Sequence, residues 1–190
     1  MSHIETKPNP LEINFDEAAI VVVDMQNAFA SKGGMFDLAG LDITGARPVI
    51  EVNQRLLYSA RKAGVKIIYL QMLYKEDLSN AGDLLSPNYH KELAMLQMRN
   101  QPEHYGKLLT EGSWDGEIVS ELTPEPHDTV ITKTRYSGFA NTELDAYLKS
   151  QNLRYLFFTG IASNICVEST ARDAYFNEYW PILVEDAMNH

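Results

Sequence analysis

The chain has a single cysteine, Cys166, in the run Thr159-Gly160-Ile161-Ala162-Ser163-Asn164-Ile165-Cys166-Val167-Glu168. An apolar segment, Tyr155 to Thr159, passes through small residues into a helix-like segment there. The start of a helix offers unpaired N–H groups and partial positive charge, which favour thiolate over thiol and can hold an oxyanion. Asp24 ends the run Ala19-Ile20-Val21-Val22-Val23, and Lys133 ends Thr129-Val130-Ile131-Thr132, in the same way. Cys, Asp and Lys at three strand ends point to a thiol amidohydrolase. The thiol attacks a carbonyl carbon, the carboxylate takes its proton, and the ammonium steadies the negative charge they share. Asp24 can act as base only if burial raises its pKa. The backbone N–H groups of Ala162 and Cys166 are the expected oxyanion donors, each worth roughly 3 kcal/mol.

Each of these residues also has a plainer reading. A lone cysteine is often a small buried hydrophobe, and an aspartate after a strand often caps a turn. A lone lysine is commonly solvated. Their joint placement favours chemistry. Histidine is the competing base: His90 and His127 lie in or beside irregular sequence, and His3 and His190 are terminal. No histidine spacing matches a metal motif, so neither metal nor cofactor is expected. Among the aromatics Phe29, Trp114, Tyr136 and Phe139, Tyr136 is the strongest contact candidate, three residues beyond Lys133. Arg135 and Arg172 could meet a substrate carboxylate, although an ion pair with one of 26 acidic residues is the plainer fate of each.

The elements that must position these groups follow from periodicity. Residues 1–14, with Pro8 and Pro10, read as a loose lead-in. Ala18 to Val23 is too apolar for a half-exposed strand and reads as a buried parallel one. Pro48 suits the first turn of a helix in which Val49, Val52, Leu56, Leu57, Ala60 and Ala63 recur at helical spacing, and Gly64 stops it. Further strands are expected at Val65 to Gln71, Thr129 to Thr132, Tyr155 to Thr159 and Ile182 to Glu185. Helices are expected at Lys91 to Gln97, from an Asn141 cap through Leu144, Tyr147 and Leu148, and at Cys166 to Glu178. The stretch from Met72 to Pro126 is otherwise irregular, as a site, lid or subunit contact would be. Alternating strands and helices define an α/β class with a mostly parallel sheet between two helical layers. Ligands bind such sheets outside the carboxyl ends of the strands, where Asp24, Lys133 and Cys166 all fall.

The 190 residues carry a net charge of −10 with no basic cluster, which argues against nucleic acid as partner. No run approaches the roughly 18 apolar residues of a membrane span, and no signal peptide precedes the first strand. One unpaired thiol fits a reducing compartment, so a cytoplasmic location is expected. No dinucleotide or P-loop glycine motif is present. A small-molecule substrate is the expected partner, and the irregular middle segment makes a homo-oligomer the expected assembly. A redox-sensing or binding protein built on a low-pKa cysteine is the non-enzymatic alternative.

Three blocks, Val21-Val22-Val23-Asp24-Met25-Gln26-Asn27, Lys133-Thr134-Arg135-Tyr136-Ser137 and Gly160-Ile161-Ala162-Ser163-Asn164-Ile165-Cys166-Val167, resemble the isochorismatase-like cysteine hydrolases. The resemblance implies a Rossmann-like three-layer α/β/α fold with Asp24 as base, Lys133 as electrostatic partner and Cys166 as nucleophile. It implies a non-proline cis peptide at Ile161–Ala162; Gln26, Phe29, Tyr74 and Tyr136 are the candidate substrate contacts. Five further blocks are similar to the branch that hydrolyses ureidoacrylate or its peracid in pyrimidine degradation: Leu38-Ala39-Gly40, Arg47-Pro48-Val49-Ile50, Ser86-Pro87-Asn88-Tyr89-His90-Lys91, Gly106-Lys107-Leu108-Leu109 and Gly112-Ser113-Trp114-Asp115. Met72 and Tyr74 stand where that branch has Asn and Trp, which leaves a related N-carbamoyl amidase as the alternative. Gln71-Met72-Leu73-Tyr74-Lys75 lacks the metal site of the family's nicotinamidases, and Cys166 distinguishes the chain from true isochorismatases. Residues 1–190 read as a single domain of this family that stops before its last helix and strand.

Overall fold

The computed structural model describes residues 1–189, and His190 lies outside the described residues. The first departure from expectation comes at once. Ser2–Ile4 (β1) and Leu11–Ile13 (β2) form an antiparallel ribbon rather than a loose lead-in. Pro8 and Pro10 lie in the connection between the two strands, where the missing N–H groups break no ladder.

The central sheet begins with Ala18–Val23 (β3), buried at every residue. Two short helices, Asn27–Ala30 (α1) and Met35–Leu38 (α2), lead into Ala46–Ala63 (α3) and then Lys66–Met72 (β4). Pro87–Lys91 (α4) and Leu93–Asn100 (α5) follow, broken at Glu92, where a single helix over Lys91 to Gln97 was expected. Glu92 is extended (ψ 141°) and its carboxylate accepts from the Met95 N–H, so it ends one helix and caps the next. The remaining elements are Thr129–Lys133 (β5), Leu144–Ser150 (α6), Tyr155–Ile161 (β6), Glu168–Phe176 (α7) and Trp180–Asn189 (β7). Asn141 is not the cap of α6: it sits in a turn with φ +58°, and Thr142 Oγ1 accepts from the Leu144 N–H at 3.2 Å.

The sheet order is β5-β4-β3-β6-β7, parallel throughout. Alternation along β3 explains its unbroken apolar run. Ile20 and Val22 pack with Val49, Ile50, Leu57 and Ala60 of α3, whereas Ala19, Val21 and Val23 pack with α6 and α7 through Leu144, Leu148, Ala171 and Ala174. These are the two helical layers, as expected. Gly64 closes α3 at φ +73°. Ala63 is exposed, however, and Asn53 takes an inward place, its amide donating to Val49 O and Ala187 O. On β7 the pairing moves from Leu183 to Met188 while β6 moves only from Phe158 to Gly160, so this edge strand bulges and runs well past Glu185.

The segment between β4 and β5 is laced to the strand ends through its backbone. Asn27 N–H donates to Glu117 O, Ala28 N–H to Asp115 O, Val119 N–H to Met25 O and Tyr74 N–H to Leu109 O, at 2.7–2.9 Å. The buried Asp115 carboxylate fastens this lacing, accepting from Met35 N–H at 2.9 Å and Leu109 N–H at 2.8 Å. Asp115→Ala strands both amides without an acceptor. It is expected to lower stability by about 2–4 kcal/mol, read as the shift of a urea midpoint; an unchanged midpoint would show that the carboxylate anchors nothing.

Candidate active site

Asp24 is the first residue beyond β3, and its backbone turns at φ +50° while its N–H still bonds Leu70 O at 2.9 Å. Lys133 is the last residue of β5, in register with Met72 of β4. Since β4 lies between β3 and β5, the two residues are two inter-strand spacings apart, about 9–10 Å. A lysine stem spans that gap. Lys133 Nζ reaches Asp24 Oδ2 at 2.7 Å, both side chains fully buried, and also donates to Arg135 O at 3.2 Å.

The third member arrives from β6. Gly160 has φ +117° and pairs with Val23; a Cβ there would stand 2.0 Å from Val23 O. Only glycine lets the two strands meet this closely. Beyond it the Ile161–Ala162 peptide is cis, as the resemblance implied. Cys166 lies in a wide, π-type turn, Ser163–Val167, that runs into α7, rather than in the first turn of an α-helix. Its carbonyl accepts from Thr170 Oγ1 at 2.6 Å, and the same hydroxyl accepts from Gly138 N–H at 3.0 Å. Thr170 thereby ties the nucleophile turn to the loop that follows Lys133.

The expected low-pKa thiol is corrected by this geometry. Cys166 is only 4% exposed. Burial pushes its thiol well up, the Asp24 charge pushes it further, and Lys133 only partly opposes them. Burial also raises Asp24, with Lys133 pulling the other way. Burial alone would lower Lys133, but the charges of Asp24 and Cys166 more than reverse that and leave it raised. These directions favour a thiol over a thiolate beside the Asp24–Lys133 ion pair. Asp24 Oδ1 is sealed from solvent and has no hydrogen-bond partner among the described residues, so it is the oxygen open to the thiol proton.

The four expected substrate contacts separate. Gln26 is buried and fully committed: its amide donates to Met72 O and Gly116 O, and its oxygen accepts from Met72 N–H, all at 2.8–2.9 Å. It is a strut between β4 and the overlying loop. Phe29 is core, 5% exposed and edge-on to Phe36 at 5.0 Å. Tyr74 is fully buried, and its hydroxyl accepts from Asn88 Nδ2 at 3.2 Å. Tyr136 alone is open, 40% exposed, and the charges of Glu92, Cys166 and Lys133 all act on its phenol.

His90 and His127 are exposed, whereas the side chain bonded to Asp24 beside Cys166 is Lys133. Arg172 pairs with Glu168 at 2.6 Å on the surface. Among the described residues, no group of three or more His, Cys, Asp or Glu could hold a metal ion. The sequence reading missed Glu92, Thr170 and Asp115. For Glu92 a signal was available, an acidic residue directly before an apolar run.

A parallel sheet carrying a Cys, Asp and Lys cluster at its carboxyl end defines a class, and comparison with known proteins agrees with it. Residues 18–190 match the isochorismatase domain family. The chain belongs to the isochorismatase family. It is 48% identical over 187 residues to a ureidoacrylate amidohydrolase from Rhizobium rhizogenes, covering 98% of this chain and 76% of the relative. It is 49% identical over 187 residues to a ureidoacrylate amidohydrolase from Cronobacter turicensis, covering 98% and 81%. Among solved structures, a cysteine hydrolase from Pseudomonas syringae pv. phaseolicola superposes with TM-score 0.76 at 30% identity, over 93% of this chain and 74% of that one.

Proposed function

We propose that the chain, one hydrolase domain throughout, is a cysteine amidohydrolase that cleaves the ureido C–N bond of ureidoacrylate or its peracid through a thioester on Cys166. The observation that carries this reading is the unpartnered, buried Asp24 Oδ1 beside a buried thiol, with Lys133 bonded to the other carboxylate oxygen. The substrate class rests on the 48% and 49% identities to ureidoacrylate amidohydrolases.

In the first half-reaction, Asp24 Oδ1 takes the Cys166 proton as Sγ bonds to the ureido carbonyl carbon. The carbonyl oxygen becomes an oxyanion, held by the N–H groups of Ala162 and Cys166. The C–N bond to the acrylate nitrogen then breaks, that nitrogen takes the proton from Asp24, and aminoacrylate leaves a carbamoyl group on Sγ. In the second half-reaction, Asp24 takes a proton from water as its oxygen attacks the carbamoyl carbon. The C–S bond breaks, Sγ recovers a proton from Asp24, and carbamate departs. Lys133 remains an ammonium throughout and steadies each anionic stage.

The test is incubation of the purified protein with ureidoacrylate and with other N-carbamoyl acids, following carbamate-derived ammonia. Turnover of ureidoacrylate above the others is expected; turnover of another N-carbamoyl acid alone would move the assignment to a sister amidase. A second expectation concerns pH. Activity requires Asp24 unprotonated, and burial raises its pKa, so kcat/KM falls with acidification at a higher pH than an ordinary aspartate would give. An acid limb at or below the ordinary aspartate range would exclude Asp24 as the base.

Homo-oligomerisation and a cytoplasmic location are part of the same proposal. The half-exposed Trp180 and Leu183 on edge strand β7 support the first. No helix among the described residues is long and apolar enough to cross a membrane.

A further inference from the structure

Four of the chain's arginines, Arg47, Arg61, Arg154 and Arg172, pair with carboxylates. Among the described residues three arginines have no acid within ion-pair distance: Arg55 and Arg99, both exposed, and Arg135. Arg135 is only partly exposed, and its guanidinium is fixed from one side. Nη1 donates to Thr134 O at 2.7 Å, Thr134 Oγ1 at 3.3 Å and Asn80 O at 3.4 Å. Nε and Nη2 have no protein acceptor among the described residues, and neither is sealed from solvent. Gly82 lies beside Nη2, where a Cβ would come within 3.4 Å. A held guanidinium with two free donors is a fork lacking its anion.

The fork belongs to the neighbourhood of the catalytic cluster. The carbonyl of Arg135 accepts from Lys133 Nζ, and the next residue is Tyr136, whose phenol feels the charge of Cys166. The guanidinium itself acts on the hydroxyl of Tyr74, which also feels Tyr136 and Glu92. Lys133 is bonded to Asp24, so it is not free to bind a second carboxylate. We infer that Arg135 is the specificity-determining residue that holds the carboxylate of a ureido-acid substrate while Cys166 attacks its carbonyl. This deepens the ureidoacrylate reading and rests on it for the substrate's identity.

The test separates the two. Binding of ureidoacrylate and of its uncharged methyl ester is measured by calorimetry in the Cys166→Ala protein, with Arg135 intact and with Arg135→Gln or Arg135→Lys. Arg135→Gln is expected to weaken the acid roughly 10- to 100-fold and the ester less than about threefold. Arg135→Lys is expected to fall between, since it keeps the charge and loses the fork. Equal weakening of acid and ester would show a merely structural role, and unchanged acid binding would show no role; either overturns the inference. Turnover by the wild-type enzyme is read separately. A protein that binds the acid through Arg135 without hydrolysing it would contradict the proposed function and leave this inference standing.

Discussion

Cys166→Ala is expected to reduce kcat for ureidoacrylate by at least about 10⁴-fold, with the fold unchanged. No other cysteine exists in the chain to substitute for it. Cys166→Ser is expected to do little better. Asp24 is a carboxylate raised by burial, strong enough to share a proton with a thiol but a poor match for a serine hydroxyl. Cys166 is a small side chain in a closed turn, so its loss to alanine leaves only a small void and the melting temperature should hold within a few degrees. Steady-state ammonia release and a thermal melt, run on the same preparations, check both halves. Residual activity within tenfold of wild type would transfer the nucleophile to water and leave Cys166 as packing.

The second large effect concerns the buried pair. Lys133→Met leaves Asp24 fully buried with no countercharge, and Asp24→Asn leaves the Lys133 ammonium in the same position. Each single substitution is expected to cost about 3–5 kcal/mol of stability, because the partner left behind must either hold its charge out of water or give that charge up. The double variant, Asp24→Asn with Lys133→Met, removes both charges and should be more stable than either single variant. All three should lose at least about 10³-fold in kcat, for different reasons. Asp24→Asn has no base. Lys133→Met has a base that stays protonated, since Lys133 is the group that opposes the burial of Asp24. Raising the pH should therefore restore some activity to Lys133→Met and none to Asp24→Asn. Denaturant titrations and pH–rate profiles of the three variants check this; strictly additive stability losses would mean the pair is not coupled.

These expectations depend on parts of the molecule that differ in how plainly the sequence announces them. A doubly buried parallel strand must be apolar at every position, so Ala18 to Val23 was readable directly, and so was Asp24 as the first polar residue after it. Gly64 closed a helix where a left-handed residue was needed. Gly160 was seen only as part of a motif; its requirement, that any Cβ there would stand 2.0 Å from Val23 O, exists only once β3 and β6 are paired. The least legible residues are those whose side chains bond distant backbone. Asp115 binds Met35 and Leu109, and Gln26 bridges Met72 and Gly116, and no local periodicity encodes either. For that reason Gln26 looked like a substrate contact and Asp115 looked like loop. The direction of the Cys166 shift was misread on similar grounds. Sequence shows a cysteine entering a helix, but the burial and the adjoining Asp24 charge that raise its thiol come from the folded sheet, and the turn that holds it is π-type.

The central claim is that a covalent bond forms between Cys166 Sγ and the carbonyl carbon of the substrate. Intact-protein mass spectrometry after rapid mixing and acid quench, wild type beside Cys166→Ala, tests it most directly. A transient gain equal to one carbamoyl group is expected on the wild type, mapped to Cys166 and absent from the variant. Steady turnover with no adduct at any quench time, or an adduct that the variant also carries, would contradict it.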